Sequence, residues 1–138
     1  MKFSTKDRYA LRLMAELVSH APDEFVPLKV ISAKQDISLK YLEQIVTPLT
    51  RAGLLHSGRG SQGGYRLARP AHEISAGDIL RAVEGELVPI PCLASEAACC
   101  PRRAQCHTLG FWDGLNDVIN QYVDKVPLDE LAKEPAED

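Results

Sequence analysis

"ISLKYLEQIVTPLTRAGLLHSGRGSQGGYRLARP", residues 37–70, carries the pattern that decides the fold. Leu39, Leu42, Ile45, Val46 and Leu49 recur at helical spacing, which predicts a helix from Leu39 to Ala52 with those five side chains inward. Ser38 stands where a capping hydroxyl is wanted, and Gly53 where a left-handed stop is expected. A short apolar strand (Leu54, Leu55), a six-residue tip with three glycines, and a return strand (Tyr65, Arg66, Leu67) then read as a β-hairpin. A tip so rich in glycine is loose for a packed turn and suits a loop that lies against something else.

The flanks extend this unit. Upstream, Ser4 is placed to cap a helix whose apolar stripe is Ala10, Leu13, Met14, Leu17 and Val18, ending before Pro22. A second, short helix fits "PLKVISAKQ", with Pro27 in its first turn, and "DIS" breaks it tightly from the third. Downstream, Ser75 caps "AGDILRAVEG", which ends at Gly85. Residues 86–107 are irregular, with Pro89, Pro91 and Pro101. Phe111, Leu115, Val118, Ile119, Tyr122, Val123 and Val126 then mark a long amphipathic helix. The expected fold is mainly α with a small β-hairpin: a winged helix-turn-helix over residues 1–85, a cysteine-bearing loop over 86–107, and a long helix with an acidic tail over 108–138.

Charge divides along the same line. Residues 1–70 hold 11 lysines and arginines against 6 acidic residues, a balance of +5, whereas residues 71–138 hold 5 against 13, a balance of −8. The basic half is suited to a polyanion. The third helix can enter a major groove, and its outward positions Lys40, Tyr41, Glu43, Gln44, Thr47, Thr50 and Arg51, with Ser38 at its start, offer groups to base edges and phosphates. Arg59, Gly60 and Ser61 at the hairpin tip are placed to meet a phosphate or the minor groove. Glu43 repels phosphate and is tolerable where it accepts from a cytosine amino group or orients a neighbour. No apolar run reaches the length of a membrane span and the N-terminus is charged from its second residue, so a cytoplasmic setting with reduced thiols is expected. Ser57, His56 and Asp113 form no recognisable catalytic motif, and His20 and His72 stand singly.

All four cysteines lie in "CLASEAACCPRRAQC", residues 92–106. Thiolates are soft ligands that favour iron–sulfur clusters, zinc and copper(I). Cys92 and Cys106 bound the set, and either Cys99 or Cys100 can serve between them. Structural zinc usually comes as paired C-x2-4-C knuckles, which are lacking here, and a thiol switch is the other reading. Arg102 and Arg103 would favour thiolate or offset cluster charge in every case.

"KDRYALRLM", "ISLKYLEQIVTPLTRAGLL", "RGSQGGYRLARP" and "EISAGDILRAVEG" together resemble the winged-helix regulators that include the iron–sulfur assembly regulator IscR and the nitric-oxide-sensing repressor NsrR. The resemblance runs from Met1 to about Leu131. It implies a homodimer joined through the long C-terminal helix, with two recognition helices facing a near-palindromic operator. It also implies an iron–sulfur cluster, of two or four irons, on Cys92, Cys100 and Cys106, with Cys99 as the alternative middle ligand. The fourth ligand departs from the family. Leu109 occupies the position where the assembly regulator has histidine, and Arg8 the position where the nitric-oxide sensor has aspartate. His107 and Asp7 are the neighbouring candidates. The implied function is a transcription regulator whose operator affinity is set by the cluster in response to iron, redox state or nitric oxide. The alternatives are a cluster-free thiol/disulfide switch, or a member that binds a metabolic enzyme.

Overall fold

Two serines open the two helices that frame the core. The computed structural model describes residues 3–58, 63–95 and 100–133. Ser4 starts α1 (Thr5–Val18) and Ser75 starts α4 (Ala76–Glu84), each with a capping box. The Asp78 N–H donates to Ser75 Oγ and the Ser75 N–H to Asp78 Oδ2, both at 3.0 Å. These exchanges satisfy backbone donors that a first turn otherwise leaves open. α2 (Leu28–Gln35) follows Pro27, which precedes the helix instead of sitting in its first turn as expected. Its fixed, extended backbone suits a cap. Asp36 ends α2 in a left-handed conformation (φ 53°), and this is the tight turn into α3 (Leu39–Arg51).

The main core gathers Leu13 and Met14 of α1, Ile31 of α2, Leu42, Ile45 and Leu49 of α3, and Ile79 of α4, all fully buried. Two expected depths are corrected. Leu39 is 44% exposed, because the first residue of α3 projects beyond the edge of this core. Thr50 is only half-exposed, and its hydroxyl is enclosed with no partner.

The hairpin pairs β1 (Leu55–Gly58) with β2 (Gly64–Leu67) in antiparallel register, Leu55 opposite Leu67 and Gly58 opposite Gly64. The first strand therefore begins one residue later than expected, and Leu54 instead fills the core. Val26 exchanges two 2.9 Å backbone hydrogen bonds with Tyr65, so the stem is tied to the α1–α2 connection. Gly64 makes this possible: at φ 147° a Cβ there would stand 2.3 Å from the Val26 carbonyl oxygen.

α5 (Leu109–Lys125) is the long helix, and Val126 ends it rather than extending it. A short helix absent from the sequence reading, α6 (Leu128–Leu131), returns the chain to the core. The Leu128 N–H donates to the Ile74 carbonyl at 2.7 Å and its side chain is fully buried. A second, smaller core joins Ala76 and Leu80 of α4, Val123 of α5 and Leu87.

Candidate nucleic-acid interface and cysteine segment

The four buried residues of α3 fix which side of the helix faces out. Lys40, Glu43, Gln44, Thr47 and Arg51 are all exposed, at the i, i+3, i+4, i+7 and i+11 spacing of one helical face. The helix is 13 residues, roughly 20 Å at 1.5 Å per residue, enough to lie along a groove. Ser38 accepts from the Tyr41 N–H at 3.2 Å, so its hydroxyl proton remains free for an oxygen of a ligand. The uncompensated N–H groups of the first turn point the same way and favour an anion. Tyr41 is half-buried, with its ring edge on Tyr9 at 5.3 Å, and acts more as a strut between α1 and α3 than as a free reading group. Thr47 returns its hydroxyl to the Glu43 carbonyl. Arg59, Gly60 and Ser61 lie outside the described residues.

The wing stem that leads toward those residues is fastened twice. Arg66 lies over the Phe25 ring at 4.6 Å, and a Cβ at Gly58 would meet that same ring at 2.8 Å. Arg69, just past β2, pairs with Asp78 of α4 at 3.6 Å. The unit of α3 and the hairpin, the candidate reading head, is thus braced by α1, the α1–α2 connection and α4.

The cysteine segment is built differently. Residues 91–93 and 103–105 form single 3-10 turns, and the rest of 86–107 is irregular where described. Cys92, Cys100 and Cys106 are exposed free thiols, and Cys99 lies outside the described residues. Glu86 holds the segment's start closed by accepting from the Ser95 N–H at 3.0 Å and from its hydroxyl. The Ser95 hydroxyl and then its N–H hold the Glu86 carboxyl below its ordinary value.

Cys106 stands three residues before the start of α5, with Sγ 3.5 Å from Oγ1 of Thr108, the residue that precedes the helix. The Thr108 hydroxyl, then the Thr108 N–H, with the Leu109 N–H and Arg102, draw its thiol below the ordinary range. His107 beside it is exposed. Asp7 has another employment: 1% exposed, it closes the α1 capping box, accepting the Ser4 N–H at 2.7 Å, while its Oδ1 is buried without a partner. The neighbouring Glu84 carboxyl is raised, by Asp7 first and by burial second. Among the described residues no three His, Cys, Asp or Glu side chains converge on one point. The donor set nonetheless suits a soft centre: three exposed, unpaired thiols stand within fifteen residues of chain, one of them already inclined to thiolate.

Sequence reading missed a polar cluster where α4 meets α5. Arg81 clamps Asp124 through Nη1 to Oδ1 at 2.6 Å and Nη2 to Oδ2 at 3.2 Å, and also donates to Asn120 Oδ1 at 2.8 Å. Phe111, Val118 and Tyr122 on α5 are 62–67% exposed. Between that helix and the body runs a groove of about 530 Å³, lined by Phe3, Leu11, Leu80, Ile119, Val123 and Leu131 among others.

Residues 3–134 match the family model Rrf2, described as iron-dependent transcriptional regulator. The transcriptional regulator IscR of Vibrio campbellii is 37% identical over 97% of this chain and 79% of its own length. The solved structure of CymR, the global cysteine regulator of Bacillus subtilis, superposes with a TM-score of 0.77 at 37% identity, covering 96% of each chain. The IscR structure from T. potens superposes with a TM-score of 0.71 at 34% identity, covering 95% of this chain and 85% of that one.

Proposed function

The chain belongs to the Rrf2 family of winged-helix transcription regulators, and from that premise we propose a homodimeric DNA-binding regulator whose operator affinity answers to chemistry at Cys92, Cys100 and Cys106. One observation carries the reading. Three exposed thiols share a single irregular segment lying between α4, which braces the reading head, and α5, which presents an uncovered apolar face.

On the DNA side, Lys40 and Arg51 neutralise phosphates at the two ends of α3, and Ser38 donates its hydroxyl proton to another phosphate oxygen. Gln44 is suited to the N6/N7 edge of adenine and Glu43 to the amino group of cytosine. Arg59, Gly60 and Ser61 complete the interface at the wing. Two such heads are required for a near-palindromic site. Phe111, Val118 and Tyr122, standing on one face of α5, would be covered by the partner's copy of that helix. The division into a DNA-binding unit at 1–85, a sensor segment at 86–107 and a dimerisation helix with its tail at 108–138 follows from these roles.

On the sensor side, Cys92, Cys100 and Cys106 would hold an iron–sulfur cluster as thiolates, with Cys99 as the alternative middle ligand and the exposed His107 as the candidate for the fourth position, Asp7 being buried in the α1 cap. The cluster would supply a centre sensitive to iron supply, oxidation and nitric oxide. The protein's own part is conformational: drawing the three sulfurs together reshapes a segment whose root is packed at Leu87 and whose described residues from Cys100 to His107 are exposed. The depressed Cys106 thiol favours a second reading, in which the same segment responds by direct thiol oxidation.

Anaerobic purification with iron and sulfide counts, followed by promoter-fragment binding in the loaded and metal-free forms, tests both readings. Stoichiometric iron and an affinity change between forms are expected. Absent iron with an affinity change on oxidation selects the thiol reading. Equal affinities of all forms at matched salt would dismiss both.

A further inference from the structure

We propose that Arg81 is the positioning residue through which the cysteine segment acts on the reading head; this rests on the sensor function proposed above. α4 and α5 cross at Gly77, where a Cβ would lie 2.2 Å from Asp124 Oδ1, 2.7 Å from Arg81 Nη1 and 3.1 Å from Val123 Cγ2. The absence of a side chain there lets α5 lie directly on the first turn of α4, and Arg81, one turn further along, grips it. The guanidinium fork engages both oxygens of Asp124 and the amide oxygen of Asn120. Such a bidentate pair fixes orientation as well as distance.

Asn120 is the link to the thiols. Its Nδ2 donates to the Leu87 carbonyl at 3.0 Å, at the root of the cysteine segment, and to Asn116 within α5 at 2.8 Å. Leu87 itself is 3% exposed, in the small core with Leu80 and Val123. A rearrangement of residues 86–106 therefore displaces the Leu87 carbonyl against Asn120, and Asn120 against Arg81.

α4 carries that displacement onward. On its opposite side Ile79 and Val83 are packed in the main core with Leu42, Ile45 and Leu49 of the recognition helix. Asp78, three residues before Arg81, holds Arg69 at the exit of the wing. One nine-residue helix thus touches the segment root, α5, the recognition helix and the wing. Arg81 is the group that makes its contact with α5 directional. Two sites joined through one element whose position both can bias is the physical requirement for coupling.

The test is Arg81→Met, which keeps the apolar stem and removes the fork, with Asn120→Ala as its partner. Operator affinity is measured for each protein in three forms: reduced and metal-free, reconstituted with ferrous iron and sulfide, and oxidised with diamide. Trp112, the single tryptophan, lies six residues beyond Cys106 and reports whether the segment itself still responds. In the unsubstituted protein one treatment is expected to change affinity by about 5- to 150-fold. In Arg81→Met that ratio should fall below about threefold while the Trp112 response persists, a combination a purely structural loss does not produce. A ratio kept at its unsubstituted value in folded Arg81→Met overturns the assignment and leaves the sensor function standing. Should Arg81→Met not fold, Asn120→Ala decides, since it spares the Arg81–Asp124 pair: a reduced ratio supports the coupling and an unchanged one overturns it. If neither treatment alters the unsubstituted protein's affinity, the sensor function itself fails and the coupling with it.

Discussion

The reading head and the cysteine segment are neighbours in one small chain, yet they are held by different physics. Between Thr5 and Leu67 each helix contributes fully buried side chains to one core, and the wing stem is tied down by backbone hydrogen bonds to Val26. Between Glu86 and His107, the described residues from Cys100 onward are exposed, and a few polar contacts such as Glu86–Ser95 give the segment its shape. A core well fixes a shape that must match a groove. The stretch from Cys100 to His107, exposed throughout, is cheap to rearrange.

The contrast is broken most forcefully by placing comparable damage in each region. Gly64→Ala sets a methyl carbon against the Val26 carbonyl, and Leu42→Ala empties a fully buried site. Each is expected to cost on the order of 2–5 kcal/mol in urea unfolding. Cys92→Ser, on the exposed segment, should stay within about 0.5 kcal/mol by the same measurement. Equal losses in the two regions would erase the distinction.

The head's electrostatic part is sharpened by salt. Lys40→Ala and Arg51→Ala should each weaken operator and nonspecific DNA alike, and each should lower the slope of log K against log salt by about 1. Gln44→Ala should instead lose discrimination at one base position, about 1–3 kcal/mol, with the slope unchanged. Titrations at several salt concentrations separate these outcomes.

A smaller effect sharpens the segment's side. In the reduced, metal-free protein the pH midpoint for alkylation of Cys106 is expected below the ordinary thiol value of about 8.5. Thr108→Val removes the first-named cause and should move that midpoint up, with Cys92 unaffected; peptide-resolved alkylation rates measure both.

The smallest effect lies where the head meets the end of α4. Glu84 is raised, so its folded form favours the proton. Its contribution to stability is present below the ordinary carboxyl value of about 4.3 and is lost as pH rises through the folded value. Glu84→Gln is therefore expected to raise the melting temperature near pH 7 and to have no effect near pH 4. A gain that persists at pH 4 would point to a cause other than the Asp7 pairing.

How much of this was legible in the sequence follows from how local each feature is. Ser4, Ser38 and Ser75 sit within three residues of the N–H groups they cap, and the α1 and α3 stripes repeat within two turns, so order and type of these elements could be read directly. Depth could not. Leu39 continues the apolar period yet projects past the core, because periodicity counts residue types and not where the neighbouring helix ends. α6 escaped because four residues are too few for a period, and Leu128 is buried by its bond to Ile74, 54 positions away in sequence. The Arg81 cluster joins residues 39 and 43 positions apart, each unremarkable alone. The cysteines announced themselves by proximity in sequence, but how their side chains are set relative to one another depends on backbone that no repeat specifies.

Gly64, pressed onto the Val26 carbonyl, lets two main-chain hydrogen bonds between Val26 and Tyr65 hold the wing stem, alongside the side-chain contacts of Arg66 and Arg69. Those bonds involve no side chain, so substitutions on the outer surface of α3 leave the mount of the wing stem in place.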